Sequence, residues 1–414
     1  MKSPPRLDGL EPVEVAARLR HLPGLVFFDT AGNLPGGADK PLSILAARPA
    51  RVLEGRIGNG TDRTMLRAAL AGAAPGADTG FPCGGLCGWV DYEGGFTFGE
   101  YPEMLVFSHR DRTWWEIGGL SGLLEEPSVE PSRTGPFAPW MSRADFLAGV
   151  RRIKEWIAAG DIYQVNLTQG FEAEVSGGSL FPLYESLRDA SPAPMAAYLA
   201  LGGKEVLSSS PESFLRISGR EIETRPIKGT RPRFADPDDD TRSAYELRTS
   251  AKEISELVMI TDLLRNDLGQ VCEFGSVEVS DLLRLESLAQ VHHLVSTVRG
   301  TLRPETDAID ALAACFPGGS ITGAPKKRAM EIIRALELRP RGLYCGAIGF
   351  LGFNGESHFN IAIRTLVREG NRIVYQVGAG IVADSDPEKE YEETLHKAAG
   401  IRLALENVVP DFSP

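Results

Sequence analysis

From Ser250 to Asp267 the chain reads Ser-Ala-Lys-Glu-Ile-Ser-Glu-Leu-Val-Met-Ile-Thr-Asp-Leu-Leu-Arg-Asn-Asp. Leu257, Val258, Met259, Ile260, Leu263 and Leu264 are apolar on more than one side of a helix, which predicts a buried helix. Glu253 and Glu256, three residues apart, share one of its faces. Carboxylates at the start of a buried helix need a cation or hydrogen-bond donors, and that need constrains everything packed around them. The same two residues also fit a solvated first turn, where the helix dipole favours acids.

A second stretch repeats the pattern. Gly378-Ala-Gly380 leads to Asp386-Pro387, an N-cap followed by proline at the first helical position, and Glu390 and Glu393 share the next face. An ordinary acidic first turn fits this stretch as well. The glycine-rich turn ahead of it can aim backbone amides at an anion. Two such pairs in one chain suggest a four-carboxylate site. Oxygen-only ligands of this kind suit Mg²⁺ better than zinc, and some of the four would be outer-sphere.

Two further segments carry candidate chemistry. Cys315-Phe-Pro-Gly-Gly-Ser320-Ile-Thr322-Gly323-Ala324-Pro325 is a glycine-rich loop entering a helix, an anion pocket to which the Thr322 hydroxyl can add. It lacks the Gly-Lys-Thr/Ser order of a Walker loop, and a plain structural turn fits it too. Arg225-Pro-Ile-Lys228-Gly-Thr230-Arg-Pro-Arg233 reads, taken alone, as a basic surface turn.

The formal net charge of −12 over 414 residues argues against nucleic acid as a partner, since a binder would carry a basic face. It leaves room for a small anionic substrate, because local cations or a metal can reverse the field in a cleft. Cys83, Cys87, Cys272, Cys315 and Cys345 are odd in number and include no Cys-x-x-Cys pair, so no zinc set is expected. Reduced thiols in a cytoplasm fit them better. Met1–Pro5 opens no apolar targeting segment, and no run reaches about 18 apolar residues, so no membrane span is expected.

Residues 1–135 are rich in Gly and Pro, with strands expected at Leu25–Phe28 and Gly88–Asp91 and a helix at Arg63–Ala71. Glu125–Pro139 reads as a polar surface connection. Phe146, Val150, Ile153 and Ile157 recur at helical spacing, predicting a helix over 142–159 that ends at Gly160. Strands are expected at Tyr163–Thr168, Ala196–Leu201, Phe214–Ile217 and Glu221–Thr224, followed by a charged loop from Arg225 to Asp240. Further helices are expected near 246–268, 307–315, 325–336 and 387–406, and strands near 346–352, 358–366 and 372–378. Strands and helices come in clumps rather than strict alternation, which favours an α+β fold.

Taken together, these segments resemble the chorismate-utilising enzymes. The resemblance is strong over 140–406, taken as the catalytic region, and weak over 1–135. It is carried by Gly160–Thr168, Ser209-Ser-Pro-Glu212, Pro226–Thr230, Lys252–Asp267, His293–Ser296, Pro317–Lys326, Tyr344–Gly349, Ile363-Arg364 and Gly378–Glu393. It implies one large fold of two packed antiparallel β-sheets flanked by helices, with the active site in a cleft. It implies that Glu253, Glu256, Glu390 and Glu393 hold the Mg²⁺ that binds the ring carboxylate of chorismate. Thr322, Gly323 and Ala324 match ring-carboxylate contacts. Tyr344 and Arg364, with the amides of Gly378 and Gly380, match the grip on the enolpyruvyl carboxylate. His293 matches a histidine near the leaving hydroxyl, and Glu212 a general acid or base; on the residues alone, His293 also fits a packed core and Glu212 a surface turn.

The resemblance also separates branches. Water-adding members carry a lysine base where this chain has Gln164, and glutamine cannot take a proton from water. Anthranilate-forming members resemble Pro-Ile-Ala-Gly-Thr where this chain has Pro226-Ile-Lys228-Gly-Thr230. Lys228 therefore implies a covalent nucleophile at ring C2 and amination at C4. The product would be 4-amino-4-deoxychorismate, on the way to 4-aminobenzoate and folate. Ammonia would come from a separate glutamine amidotransferase subunit, since no room for that domain is seen, and no appended lyase domain is expected. Amination at C2 with loss of pyruvate is the alternative.

Overall fold

The computed structural model describes residues 5–30, 41–72, 79–128, 132–288 and 291–408. The expectations placed on residues 1–4, and on residues 129–131 of the polar connection, lie outside these. Among the described residues, strands gather into two sheets and every pairing is antiparallel.

The twelve-stranded sheet runs from Gly323–Ala324 through Gln164–Gly177, Arg372–Ile381, Thr365–Glu369, Lys204–Ser210, Met195–Leu201, Val26–Asp29, Leu42–Ala46 and Met104–Ser108 to Thr113–Ile117. The ten-stranded sheet runs from Ile227–Pro232 through Val291–Thr301, Glu221–Arg225, Ser213–Ser218, Ser357–Asn360, Ala347–Gly352, Gly85–Val90 and Gly95–Tyr101 to Arg51–Arg56. Early and late segments are thus interleaved: Val26–Asp29 pairs with Met195–Leu201, and Gly85–Val90 with Ala347–Gly352.

The sheets face each other across an apolar layer. Val26, Ile44, Ala46 and Val106 of the first meet Trp89, Ile348 and Phe350 of the second, and the Phe28 and Phe350 rings lie 5.7 Å apart. Each such aliphatic side chain contributes roughly 1.5–3 kcal/mol on burial. Helices cover the outer faces. Pro12–Leu19, Phe181–Ala190 and Ala399–Val408 bury Val15, Phe181, Leu187, Ile401 and Leu405 against Phe27, Tyr198 and Leu207. Gly60–Ala71, Ala251–Gly269 and Ala308–Cys315 bury Leu66, Ile260, Leu264 and Leu312 with Phe98, Leu215 and Phe359. This is the expected α+β sandwich.

Local signals held where a side chain fixes an end. Ser142 Oγ accepts from the Asp145 amide at 3.1 Å and starts Arg143–Ala158; Asp386 accepts from the Lys389 amide at 3.1 Å and starts Pro387–Lys397. Several expectations need correcting. The predicted helix over 246–268 is two helices, Pro237–Thr249 and Ala251–Gly269, divided at Ser250, whose Oγ accepts from the Glu253 amide. The charged loop 225–240 contains a strand, Ile227–Pro232, zipped onto Val291–Thr301. The polar connection 125–139 lays Ser132–Thr134 and Ala138–Pro139 along Gln164–Gly177, an outer position that tolerates proline. The predicted 358–366 strand is two strands that belong to different sheets. No described helix is long and apolar enough to cross a membrane.

Candidate active site

One cavity, about 630 Å³, opens where Ile227–Pro232 of one sheet approaches Gln164–Gly177 and Arg372–Ile381 of the other. In the last two strands Asn166 lies opposite Gly380 and Thr168 opposite Gly378. Strand alternation puts Gln164 and Asn166 on one side. A Cβ on Gly378 would come within 2.8 Å of Asn166 Oδ1, and one on Gly380 would collide with Gln164 Nε2. The glycines therefore keep the wall thin enough for backbone to face the cavity.

Lys228 enters from the opposite side. The ladder between Ile227–Pro232 and Val291–Thr301 shifts register between Lys228 and Thr230, and Gly229 takes φ +72°, a left-handed conformation suited to glycine. Lys228 Nζ lies 3.7 Å from Glu256 Oε2. Across the same ladder, His293 Nδ1 lies 3.0 Å from Thr230 Oγ1, while His293 Nε2 is buried with no partner. Burial, aided by the Arg364 charge, lowers the His293 pKa to about 4, so the ring is neutral near pH 7.

Glu212 lines the cavity and is 6% exposed, not the surface turn residue its Ser-Pro context also allowed. Burial pushes its pKa up to about 7, against the Ser320 hydroxyl, the Lys228 charge and the Ile227 amide, which favour the anion. It can therefore carry or release a proton near neutrality. Arg364 and Tyr344 also line the cavity. Arg364 sits at φ 51°, and burial lowers the pKa of its guanidinium with no carboxylate to offset it. A desolvated cation with no counter-ion among the described residues is a place for a substrate anion.

The four glutamates converge on Lys252. Burial would lower the Lys252 pKa, but the charges of Glu390, Glu256, Glu393 and Glu253 raise it. Glu253, Glu256 and Glu393 line the cavity; Glu390, 3% exposed, stands behind them and accepts from Ser385 Oγ at 2.6 Å. Burial raises the Glu256 pKa, with Lys228 and Lys252 opposing. Burial would also raise that of Glu393, but the Lys397 ammonium 2.7 Å away, with the Lys252 and Lys228 charges, outweighs it, and the value is lowered. An oxygen-only set fits a hard divalent cation, and Glu256 Oε1 is buried without a partner. In this arrangement Lys228, Arg231, Lys252 and Lys397 engage the carboxylates. Among the described residues, no three His, Cys, Asp or Glu side chains are spaced to share one ion.

The structure does not bring every predicted residue to the cavity. Thr322 is fully buried and donates its hydroxyl to the Gly318 carbonyl, 3.0 Å away, inside its own loop. Gly323 and Ala324 pair as a short strand with Gln164 and Val165. Ser320 and Ile321 line the cavity in their place. Sequence reasoning also passed over Asn166, Lys397 and Gln376. The i, i+4 spacing of Glu393 and Lys397 and the i, i+2 spacing of Gln164 and Asn166 were available signals; Gln376 had none.

A family model described as chorismate binding enzyme matches residues 84–402. The chain is 40% identical over 356 residues to the anthranilate synthase component 1 of Methanothermobacter thermautotrophicus, covering 80% of this chain and 76% of that protein. It is 44% identical over 305 residues to the aminodeoxychorismate synthase component 1 of Escherichia coli, covering 73% of this chain and 66% of that protein. The crystal structure of anthranilate synthase component I from Streptococcus pneumoniae TIGR4 is similar with a TM-score of 0.77 at 29% identity, covering 87% of this chain and 92% of that one.

Proposed function

The chain belongs to the chorismate-binding enzyme family, and from that premise we propose that it aminates chorismate at ring C4 to give 4-amino-4-deoxychorismate, a precursor of 4-aminobenzoate and folate. The observation that carries this reading is Lys228: its amine lines the cavity that also holds Glu212, Glu256 and Gln164's neighbour Gly380.

In this reading Arg364 and Tyr344, with backbone at Gly378 and Gly380, grip the enolpyruvyl carboxylate. Glu253, Glu256, Glu390 and Glu393 would hold Mg²⁺, which neutralises the ring carboxylate when bound. Thr322, Gly323 and Ala324 act by shaping the loop that presents Ser320 and Ile321. Lys228 passes one ammonium proton to Glu256, its ion-pair partner, and the amine so freed adds through nitrogen to C2. The two ring double bonds shift, the C4–O bond breaks, and Glu212 protonates the departing hydroxyl to water. Neutral His293 offers a hydrogen bond near that oxygen. Ammonia then forms a bond to C4, the double bonds shift back, the C2–N bond breaks, and the lysine is regenerated. The names of the relatives as component 1 support a partner that supplies ammonia; a glutamine amidotransferase subunit is the partner proposed.

A second reading, amination at C2 with loss of pyruvate to give anthranilate, is favoured by relatives of that name at comparable identity. Purified chain given chorismate, Mg²⁺ and ammonium at high pH separates the two. Fluorescent anthranilate formed without an added lyase would sink the C4 reading. A mass-shifted adduct on Lys228, lost in Lys228→Ala, would support it.

A further inference from the structure

Behind the cavity, and not lining it, lies a second buried charge pair that the chemistry above does not use. The Arg341 side chain is 1% exposed and that of Glu337 7%. Arg341 Nε donates to Glu337 Oε2 at 2.9 Å and Nη2 to Glu337 Oε1 at 2.7 Å. Nη1 donates to the Ile321 carbonyl at 2.9 Å, and Nη2 also reaches the Asn166 carbonyl at 2.8 Å. The guanidinium lies over the Tyr92 ring, 4.5 Å from its centroid.

The backbone of the same residue is tied as well. Its amide donates to Glu93 Oε1 at 2.9 Å; its carbonyl accepts from Gln376 Nε2 at 2.7 Å and from the Tyr344 amide at 3.2 Å. Glu337 Oε1 accepts from the Thr168 amide at 3.1 Å. Asn166, Ile321, Tyr344 and Gln376 all line the cavity, and each comes from a different segment. One side chain and its own peptide thus join four walls of the site.

An apolar pair of the same volume would serve stability as well as a buried ion pair does. What arginine adds is a planar fork of donors at fixed angles. We propose that Arg341, oriented by Glu337, is a positioning residue that sets the cavity wall for the substrate, acting through Ile321, Asn166, Gln376 and Tyr344 without touching substrate. This rests on the reading of the cavity as a chorismate site.

The test uses the full chain with Mg²⁺, chorismate binding by calorimetry, KM and kcat, and the thermal midpoint. Arg341→Lys keeps the charge but loses the fork. The double variant Arg341→Met/Glu337→Gln leaves no unpaired buried charge and keeps an acceptor for the Thr168 amide. Both are expected to fold and to weaken chorismate binding at least about tenfold, about 1.4 kcal/mol, with KM rising more than kcat falls. Folded variants that bind chorismate as wild type does would overturn the proposal, and so would failure of both to fold, which would make the cluster purely structural. Wild-type chain that binds no chorismate is a distinct result: it overturns the functional reading itself.

Discussion

Two buried polar clusters lie back to back in this molecule, and they differ in how completely they are paired. Around Arg341 the guanidinium, the Glu337 carboxylate and the Gln376 amide nitrogen all have partners at 2.7–2.9 Å. In the cavity, Asn166 Oδ1, Glu256 Oε1 and His293 Nε2 are buried with none among the described residues, and Gln164 Oε1 and Thr168 Oγ1, on the same strand as Asn166, are likewise unpartnered. Native interiors leave few such groups unpaired, because each costs its desolvation. A cluster that is fully satisfied holds a shape. One that is not leaves donors and acceptors open to water or to a ligand. The two are joined through Asn166, whose carbonyl belongs to the first and whose side-chain oxygen belongs to the second.

The largest expected effect falls on the incomplete cluster. Lys228→Ala should reduce C4-aminated product by at least about a thousandfold, some 4 kcal/mol of transition-state stabilisation. Chromatography of the products checks this; wild-type yield would remove Lys228 from the chemistry. The complete cluster should respond in stability as well when only one of its two charges is removed. Glu337→Leu alone strands a buried guanidinium and should cost about 3–5 kcal/mol, read as a fall in the urea midpoint. An unchanged midpoint would mean that the Arg341 cluster is not what holds this wall.

A smaller effect tests whether binding completes the cavity. Chorismate with Mg²⁺ at about a hundred times its Kd should stabilise the chain by ~2.7 kcal/mol, seen as a raised unfolding midpoint. Glu390→Gln and Glu393→Gln should each abolish Mg²⁺-dependent turnover and remove the Mg²⁺-dependent part of that shift. Wild-type rates in both variants would break the metal assignment.

The same contrast explains what could be read from the sequence. Ser142 and Asp386 mark helix starts because the signal is local: a side chain and an amide three residues on. Gly378 and Gly380 were read as a glycine-rich turn ahead of the helix, but they stand inside a strand, Arg372–Ile381, whose pairing with Gln164–Gly177 is not a local signal. Ile227–Pro232 was not legible as a strand, because its partner, Val291–Thr301, lies some sixty residues away and neither proline nor basic side chains announce the pairing. Thr322 was placed at the ring carboxylate by the resemblance, while its loop alone allowed an anion pocket or a plain turn; its hydroxyl's bond to the Gly318 carbonyl depends on a loop geometry that spacing does not encode. Arg341 carried one local signal, its i, i+4 spacing from Glu337; its other partners come from residues 166, 321 and 376, which only the fold assembles.

The finest distinction between the clusters is a proton. Glu212, on the cavity side, has its pKa raised from 4.5 to about 7 by burial. The folded chain thus holds that proton more tightly than the unfolded chain. The contribution of Glu212 to stability should fall as pH rises from about 4.5 to about 7 and then level off. The protonated form is the one that can assist departure of the C4 hydroxyl. At fixed free-ammonia concentration, kcat/KM should therefore decline as pH rises through about 7. Glu212→Gln, neutral at every pH, should lower the rate, flatten that limb and remove the slope in stability. A limb that survives the substitution belongs to another group, and Glu212 would then be a buried carboxyl without a part in proton transfer.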